Sequence, residues 1–166
     1  MKSLIFLVFI ASLFYALCTA PEQAQAQEQH QSMRTEFSQQ ELSLNFFRNP
    51  SIGLEWRYSQ VSIHAGYYLT NFEPNVTTEF IRSGVTFWFL PIASNGDAPS
   101  SLYGSVSYLH GLTREWTGTS GVMLEAGFRW MPWRGLNVRL GVDVLLSPNQ
   151  PIRVNPNPGV SWSFVW

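Results

Sequence analysis

The amino-acid sequence predicts an all-β protein, an eight-stranded antiparallel up-and-down transmembrane β-barrel. Three observations lead to this prediction. Apolar residues recur at every second position in eight short segments, which is the period of a strand. One face of these segments carries no charge, whereas the other carries acids and arginines. The last segment, 159–166, presents large aromatic side chains on one face, as the lipid-facing final strand of a barrel does.

Residues 1–26 are expected to be a secretory signal peptide. Lys2 supplies a positive start, 4–17 is an apolar run, and 24–26 reads Ala-Gln-Ala, a small-residue cleavage site. The apolar run is short for a transmembrane helix of ~20 residues. With Cys18 removed in the signal, disulfide and thiolate chemistry are not expected.

The following segment, 27–40, is polar and rich in glutamine, and we predict a flexible leader without a core of its own. The barrel domain then covers 41–166. The chain has ten basic and eleven acidic residues, so its charge gives no reason to expect nucleic-acid binding. Its aromatic content of 15% and charged content of 13% suit a barrel wall better than a soluble domain.

The first four strands are predicted at 41–47, 52–58, 61–70 and 79–90, and a two-residue turn at 59–60 joins the second to the third. Each is justified by an alternating apolar face. In chain order these faces consist of Leu42, Leu44 and Phe46; Ile52, Leu54, Trp56 and Tyr58; Val61, Ile63, Ala65, Tyr67 and Leu69; and Ile81, Val85, Phe87 and Phe89.

The last four strands are predicted at 101–110, 121–131, 136–146 and the terminal segment, with a short turn at 132–135 marked by proline and glycine. The seventh has the most regular alternation of all. Their apolar faces consist of Leu102, Val106 and Tyr108; Val122, Leu124, Ala126, Phe128 and Trp130; Leu136, Val138, Leu140, Val142, Val144 and Leu146; and Val160, Trp162, Phe164 and Trp166.

The connections are expected to alternate between short periplasmic turns and longer outer loops. Outer loops are predicted at 71–78, 111–120 and 147–157, the last being a proline-rich spacer. Two connections depart from this rule, because 48–51 is short for an outer loop and 91–100 is long for an inner turn. Trp116, Trp130 and Trp133 are assigned to the aromatic girdles at the membrane interfaces.

The face opposite the apolar one is predicted to line the barrel interior. It carries four acids and four arginines, which would have to pair in an interior that eight strands leave just wide enough for side chains. Glu41 lies on this face. The predicted interior ion-pair network consists of Glu55, Arg57, Arg82, Glu125, Arg129, Arg139 and Asp143. Glycines on the same face, such as Gly127 and Gly141, would leave room for large inner residues such as Trp88 and Tyr68.

These features resemble the small outer-membrane β-barrels of the OmpA transmembrane-domain and OmpX type. The resemblance covers 41–166 and depends on the alternating strands, the signal peptide and the aromatic end 164–166. It implies insertion by a barrel-assembly machine that reads the final strand, here Val160, Trp162, Phe164 and Trp166. Gly159 is two residues earlier than the usual glycine of that signal. The resemblance brings no catalytic motif.

Candidate chemistry is sparse. His110 lies near the predicted outer rim, but Ser107 falls on the opposite face and no His-x-Ser element follows. His64 is predicted to be an interior hydrogen-bonding residue. No metal-ligand spacing occurs, and no cofactor is expected.

The function expected is that of a monomeric integral outer-membrane protein with a structural or surface-interaction role, surrounded by outer-membrane lipid and not an open pore or an enzyme. Alternatives are a lipid A acyl-modifying enzyme, a small-solute channel and a soluble lipocalin-like binder. A soluble binder would need the reverse arrangement, with the apolar face inside.

Overall fold

The structure, a computed structural model, describes residues 36–37, 40–47, 51–73, 76–148 and 150–166. The predicted signal peptide and most of the predicted leader lie outside these residues. Within them, antiparallel strands form one closed barrel. The strands are β1 (Gln40–Phe47), β2 (Ile52–Tyr58), β3 (Val61–Glu73), β4 (Val76–Ile92), β5 (Ser100–Gly111), β6 (Ser120–Trp133), β7 (Leu136–Leu146), β8 (Arg153–Pro156) and β9 (Gly159–Val165).

Neighbouring strands in sequence pair along the whole cylinder, and β1 pairs with β9 to close it. Both β8 and β9 pair with β7, one after the other, so together they occupy the position of the eighth strand of the barrel. The prediction of an eight-stranded, all-antiparallel, closed barrel is therefore confirmed. Strands β2 and β7 have the predicted bounds, and most of the others extend by one to three residues at an end.

The predicted outer loop at 71–78 is wrong. Strand β3 continues to Glu73 and β4 begins at Val76, with the last pair of the ladder formed by these two residues. Threonine and valine, which are favoured in strands, supply most of β4 in this region, so the hairpin continues beyond the point where the apolar alternation ends.

The predicted spacer at 147–157 is also wrong in part, because it contains β8. The backbone of this segment keeps its pairing with β7 despite the two prolines that follow Asn155 and Asn157. Proline is tolerated in a sheet at an irregularity, and the break between β8 and β9 is such a point. Between the prolines, the Asn157 N–H donates to the Gly141 carbonyl at 2.8 Å. This hydrogen bond keeps the segment between β8 and β9 paired with β7.

The barrel has an apolar outer wall and a polar inner face. Side chains at alternate positions, such as Leu54, Val85, Phe87 and Leu140, are exposed on the outside. All of the acids and arginines that alternation assigns to the interior are buried. The predicted facing is thus confirmed in every strand.

The two ends of the barrel differ. At the terminal end, where β1 begins and β9 ends, the connections are 59–60, 93–99 and 134–135. At the opposite end, called the loop end, the connection from β5 to β6 contains a 3-10 helix, Arg114–Trp116.

In the described part of the chain, no helix has the length and apolar character needed to cross a membrane.

Candidate functional site in the barrel interior

The half of the interior nearer the terminal end is organised around the carboxylate of Glu41. The Arg57 Nε donates to Glu41 Oε2 at 3.0 Å, and Arg129 Nη1 donates to Oε1 at 2.9 Å. Each arginine also donates to a backbone carbonyl at the terminal end, Arg57 to Ser59 at 2.6 Å and Arg129 to Pro99 at 3.0 Å. One acid therefore holds two arginines from strands on different sides of the barrel.

The second group is an ion pair between Glu55 of β2 and Arg139 of β7, with 2.6 Å between Oε2 and Nη2. The other carboxylate oxygen of Glu55 accepts a hydrogen bond from the Ser62 hydroxyl. That hydroxyl in turn accepts one from the indole N–H of Trp88 at 2.9 Å. The pair is thus tied to the aromatic centre of the barrel.

The third group lies on β4, β5 and β6. The Arg82 guanidinium and the Glu125 carboxylate are 2.7 Å apart, and Tyr103 donates its hydroxyl to the same carboxylate at 2.6 Å. A Cβ at Gly127 or at Gly141 would lie 2.7 Å from that tyrosine oxygen. These two glycines face each other across β6 and β7, and their lack of side chains lets the tyrosine ring lie against the wall.

The seven residues of the predicted interior network are all buried, and six of them take part in these ion pairs. The seventh, Asp143, accepts a hydrogen bond from the Tyr68 hydroxyl at 2.8 Å. Glu41 was not included in the predicted network, yet it contacts two arginines. The signal for it was present, since alternation already placed it on the inner face.

Trp88 fills the middle of the interior between two arginines. The guanidinium carbons of Arg129 and Arg139 lie 4.4 Å and 4.8 Å from the ring centroid. Cation–π attraction of this kind strengthens when the groups are desolvated, and the ring is buried. Sequence reasoning identified Trp88 only as a large inner residue, because alternation does not show which side chains meet across the cylinder.

Replacing Trp88 by phenylalanine is expected to lower the free energy of unfolding by about 1–2 kcal/mol, since the hydrogen bond to Ser62 and part of the ring are lost. Trp130→Phe is the matched control, because Trp130 is exposed on the outer wall. Urea unfolding of the purified protein in lipid vesicles, followed by circular dichroism, gives both values. Equal losses for the two variants would contradict the central position of Trp88.

At the loop end, the interior next to β3 to β7 is lined by apolar side chains in place of ion pairs. A buried cluster closes it, consisting of Tyr68, Phe80, Leu109, Trp116, Met123 and Leu145. The assignment of Trp116 to an aromatic girdle is therefore wrong: its side chain is 2% exposed and its ring contacts that of Phe80, with 5.4 Å between centroids. By contrast, Trp130 and Trp133 lie exposed on the outer wall.

The terminal end is closed by the connection 93–99, which was expected to be unusually long for an inner turn. Ala98 and Pro99 are buried, and the Pro99 carbonyl accepts from Arg129. The Ser94 hydroxyl donates to the Ala98 carbonyl at 2.7 Å, and the Asp97 N–H donates to the Arg134 carbonyl at 3.0 Å. The extra length folds this turn across the end of the barrel.

Two histidines, His64 and His110, lie in the described part of the chain, and they lie on opposite faces of the barrel wall. His64 is buried, with Nε2 3.0 Å from the Ser107 hydroxyl and Nδ1 3.3 Å from that of Thr86. The Ser107 hydroxyl also accepts from Arg82 Nε at 3.0 Å. His110 lies on the other face of β5, as alternation predicts. Within the described residues, histidines and carboxylates nowhere form a group that could hold a metal ion.

No family model, curated protein sequence or solved structure matches this chain.

Proposed function

We propose that this chain is an integral outer-membrane β-barrel protein of a Gram-negative-type bacterium, with a structural or surface-interaction role. One observation carries the proposal: large apolar side chains face outward around the closed barrel, while acids and arginines are buried inside. In water, such an outer wall would be far larger than the apolar patches that soluble proteins expose. In a bilayer, it contacts acyl chains, and the closed ladder of strands pairs the backbone groups of neighbouring strands within the cylinder.

The contents of the barrel interior favour a structural scaffold and argue against an open channel. Ion pairs and the Trp88 ring occupy the middle, the apolar cluster closes the loop end, and the connection 93–99 folds over the terminal end. Eight strands enclose only enough space for side chains. The protein in this proposal is a monomer that displays its connections at the membrane surface.

The final strand supports insertion by the barrel-assembly machinery. Val160, Phe164 and Trp166 are exposed on the outer wall, and Trp162 packs edge-on against Trp133 with 6.3 Å between ring centroids. The terminal residue also closes the cylinder, since Gln40 and Trp166 exchange backbone hydrogen bonds at 3.2 and 3.3 Å. An export signal in 1–26 would direct the chain to that machinery.

The test is expression of the full chain in a Gram-negative host, followed by membrane fractionation, gel electrophoresis with and without heating, and planar-bilayer recording. We expect the protein in the outer-membrane fraction, with faster migration of the unheated form and no conductance steps. Recovery in the periplasmic soluble fraction, or one band at both temperatures, would refute the membrane barrel. Stable conductance steps would refute the sealed scaffold and favour the channel.

A further inference from the structure

At the loop end, apolar side chains of β3 to β7 line one part of the interior, called the apolar chamber, and the buried Thr70 and Thr78 lie beside it. Its walls are Tyr68, Phe80, Leu109, Met123 and Leu145, which come from five successive strands, β3 to β7, and are buried. At its floor, the Tyr68 hydroxyl donates to the Asp143 carboxylate, where the polar part of the interior begins. The Arg82 guanidinium lies 5.7 Å from the centroid of the Tyr68 ring, so the ionic part of the interior begins directly at this floor.

The chamber is filled by one side chain that no strand carries. Trp116 belongs to the connection 112–119, called the lid, and its indole packs edge-on against Phe80. The lid is closed at its base, because Gly111 N–H donates to the Thr119 carbonyl and Gly118 N–H donates to the Gly111 carbonyl, at 2.9 and 3.0 Å. It is therefore a compact unit that presents an aromatic ring.

Three hydrogen bonds attach the body of the lid to β4. The Leu112 N–H donates to the Glu79 carbonyl at 2.9 Å, and the Glu79 N–H donates to the Thr113 hydroxyl at 3.1 Å. Arg114 Nε donates to the Thr77 carbonyl at 3.2 Å. Arg114 adopts a φ of 60°, in the left-handed region that is strained for a residue other than glycine. The closed position thus combines these attachments to β4 with local strain at Arg114.

We propose that the apolar chamber is a binding site for a small aromatic molecule, which takes the place of the Trp116 ring when the lid moves away from β4. A planar apolar guest of indole size makes the contacts with Phe80 and its neighbours that the tryptophan ring makes. The Tyr68–Asp143 pair at the floor accommodates one polar group on such a guest. This inference goes beyond the scaffold role and does not depend on where the protein is located.

The test uses the full chain, expressed in a Gram-negative host with 5-fluorotryptophan and purified in detergent, with indole as the probe. Fluorine NMR resolves the tryptophans individually, and Trp116→Phe assigns the resonance of the lid. We expect indole to shift the Trp116 resonance saturably towards the position of an exposed ring. The Trp133 resonance, on the outer wall, reports indole that merely dissolves in the micelle.

A variant of the lid distinguishes indole that displaces the Trp116 ring from indole that binds weakly elsewhere on the protein. Thr113→Val removes the hydroxyl that accepts from Glu79 and should tighten indole binding about five-fold, because the open position becomes easier to populate. Thr117→Val is the matched control, since that hydroxyl bonds to Leu112 within the lid. A Trp116 resonance that shifts only linearly, as Trp133 does, overturns the proposal. Equal affinities of the two variants overturn it as well.

Discussion

Glu41→Gln is expected to lower the free energy of unfolding by about 3–5 kcal/mol, the range for removing one partner of a buried ion pair. The glutamine has almost the shape of the glutamate, so the change is one of charge. Arg57 and Arg129 both donate to the Glu41 carboxylate in a part of the interior closed from water. The substitution leaves two buried arginines with one negative charge fewer to neutralise them.

Urea unfolding in lipid vesicles, followed by circular dichroism, measures the effect. Glu115→Gln is the matched control, because Glu115 is exposed in the connection at the loop end and its loss should change stability by less than about 0.5 kcal/mol. The double variant Glu41→Gln, Arg129→Met should recover part of the loss, since it restores the charge balance. A Glu41→Gln protein as stable as the Glu115→Gln protein would show that Glu41 does not organise the network.

The facing of the strands could be predicted because it depends on one local property. Side chains alternate strictly along a strand, so the apolar outer position of Leu140 also fixes the inner position of Arg139. In a barrel, a slip of one residue in the pairing of a strand would move its inner charges to the outer wall. The pairing register is strongly specified for that reason. The bounds of β7 follow from the same property.

The partners within the interior could not be predicted. Glu41 and Arg129 are separated by 88 residues, and Glu55 and Arg139 by 84. Alternation gives the face of each residue, but the height at which it meets others depends on the stagger of all the strands. That stagger is a property of the closed cylinder, which explains why Glu41 could be placed inside without being recognised as the centre of the network.

The connections were the least predictable part. Trp116 follows the end of a strand, where alternation no longer applies, and its aromatic character fits a membrane interface as well as an apolar interior. The close approach of the lid to the strand depends on Gly111, where a Cβ would lie 2.0 Å from the Trp116 carbonyl oxygen. A glycine at the end of a strand has many explanations in a sequence, and only the fold shows this one.

Leu140→Arg is expected to lower the free energy of unfolding in lipid vesicles by about 2–4 kcal/mol, the cost of an arginine facing lipid near the middle of a membrane. Leu140 lies at the centre of β7 and its side chain is 63% exposed on the outer wall. For a protein surrounded by water, the same exposure would make the substitution nearly neutral. The sign and size of the effect therefore distinguish a lipid-facing wall from a water-facing one.

Ile152→Arg provides the matched control for this prediction. Ile152 is 66% exposed, but it lies in the connection at the loop end, outside the strands that would contact acyl chains. The two variants add the same charge at nearly the same exposure, one in the middle of a strand and the other in a connection at the loop end. We expect the loss for Leu140→Arg to exceed that for Ile152→Arg in vesicles, measured by urea unfolding. Equal small losses in the free energy of unfolding would mean that the outer wall does not face lipid. In water, an added arginine at either exposed position would have the same small effect on stability.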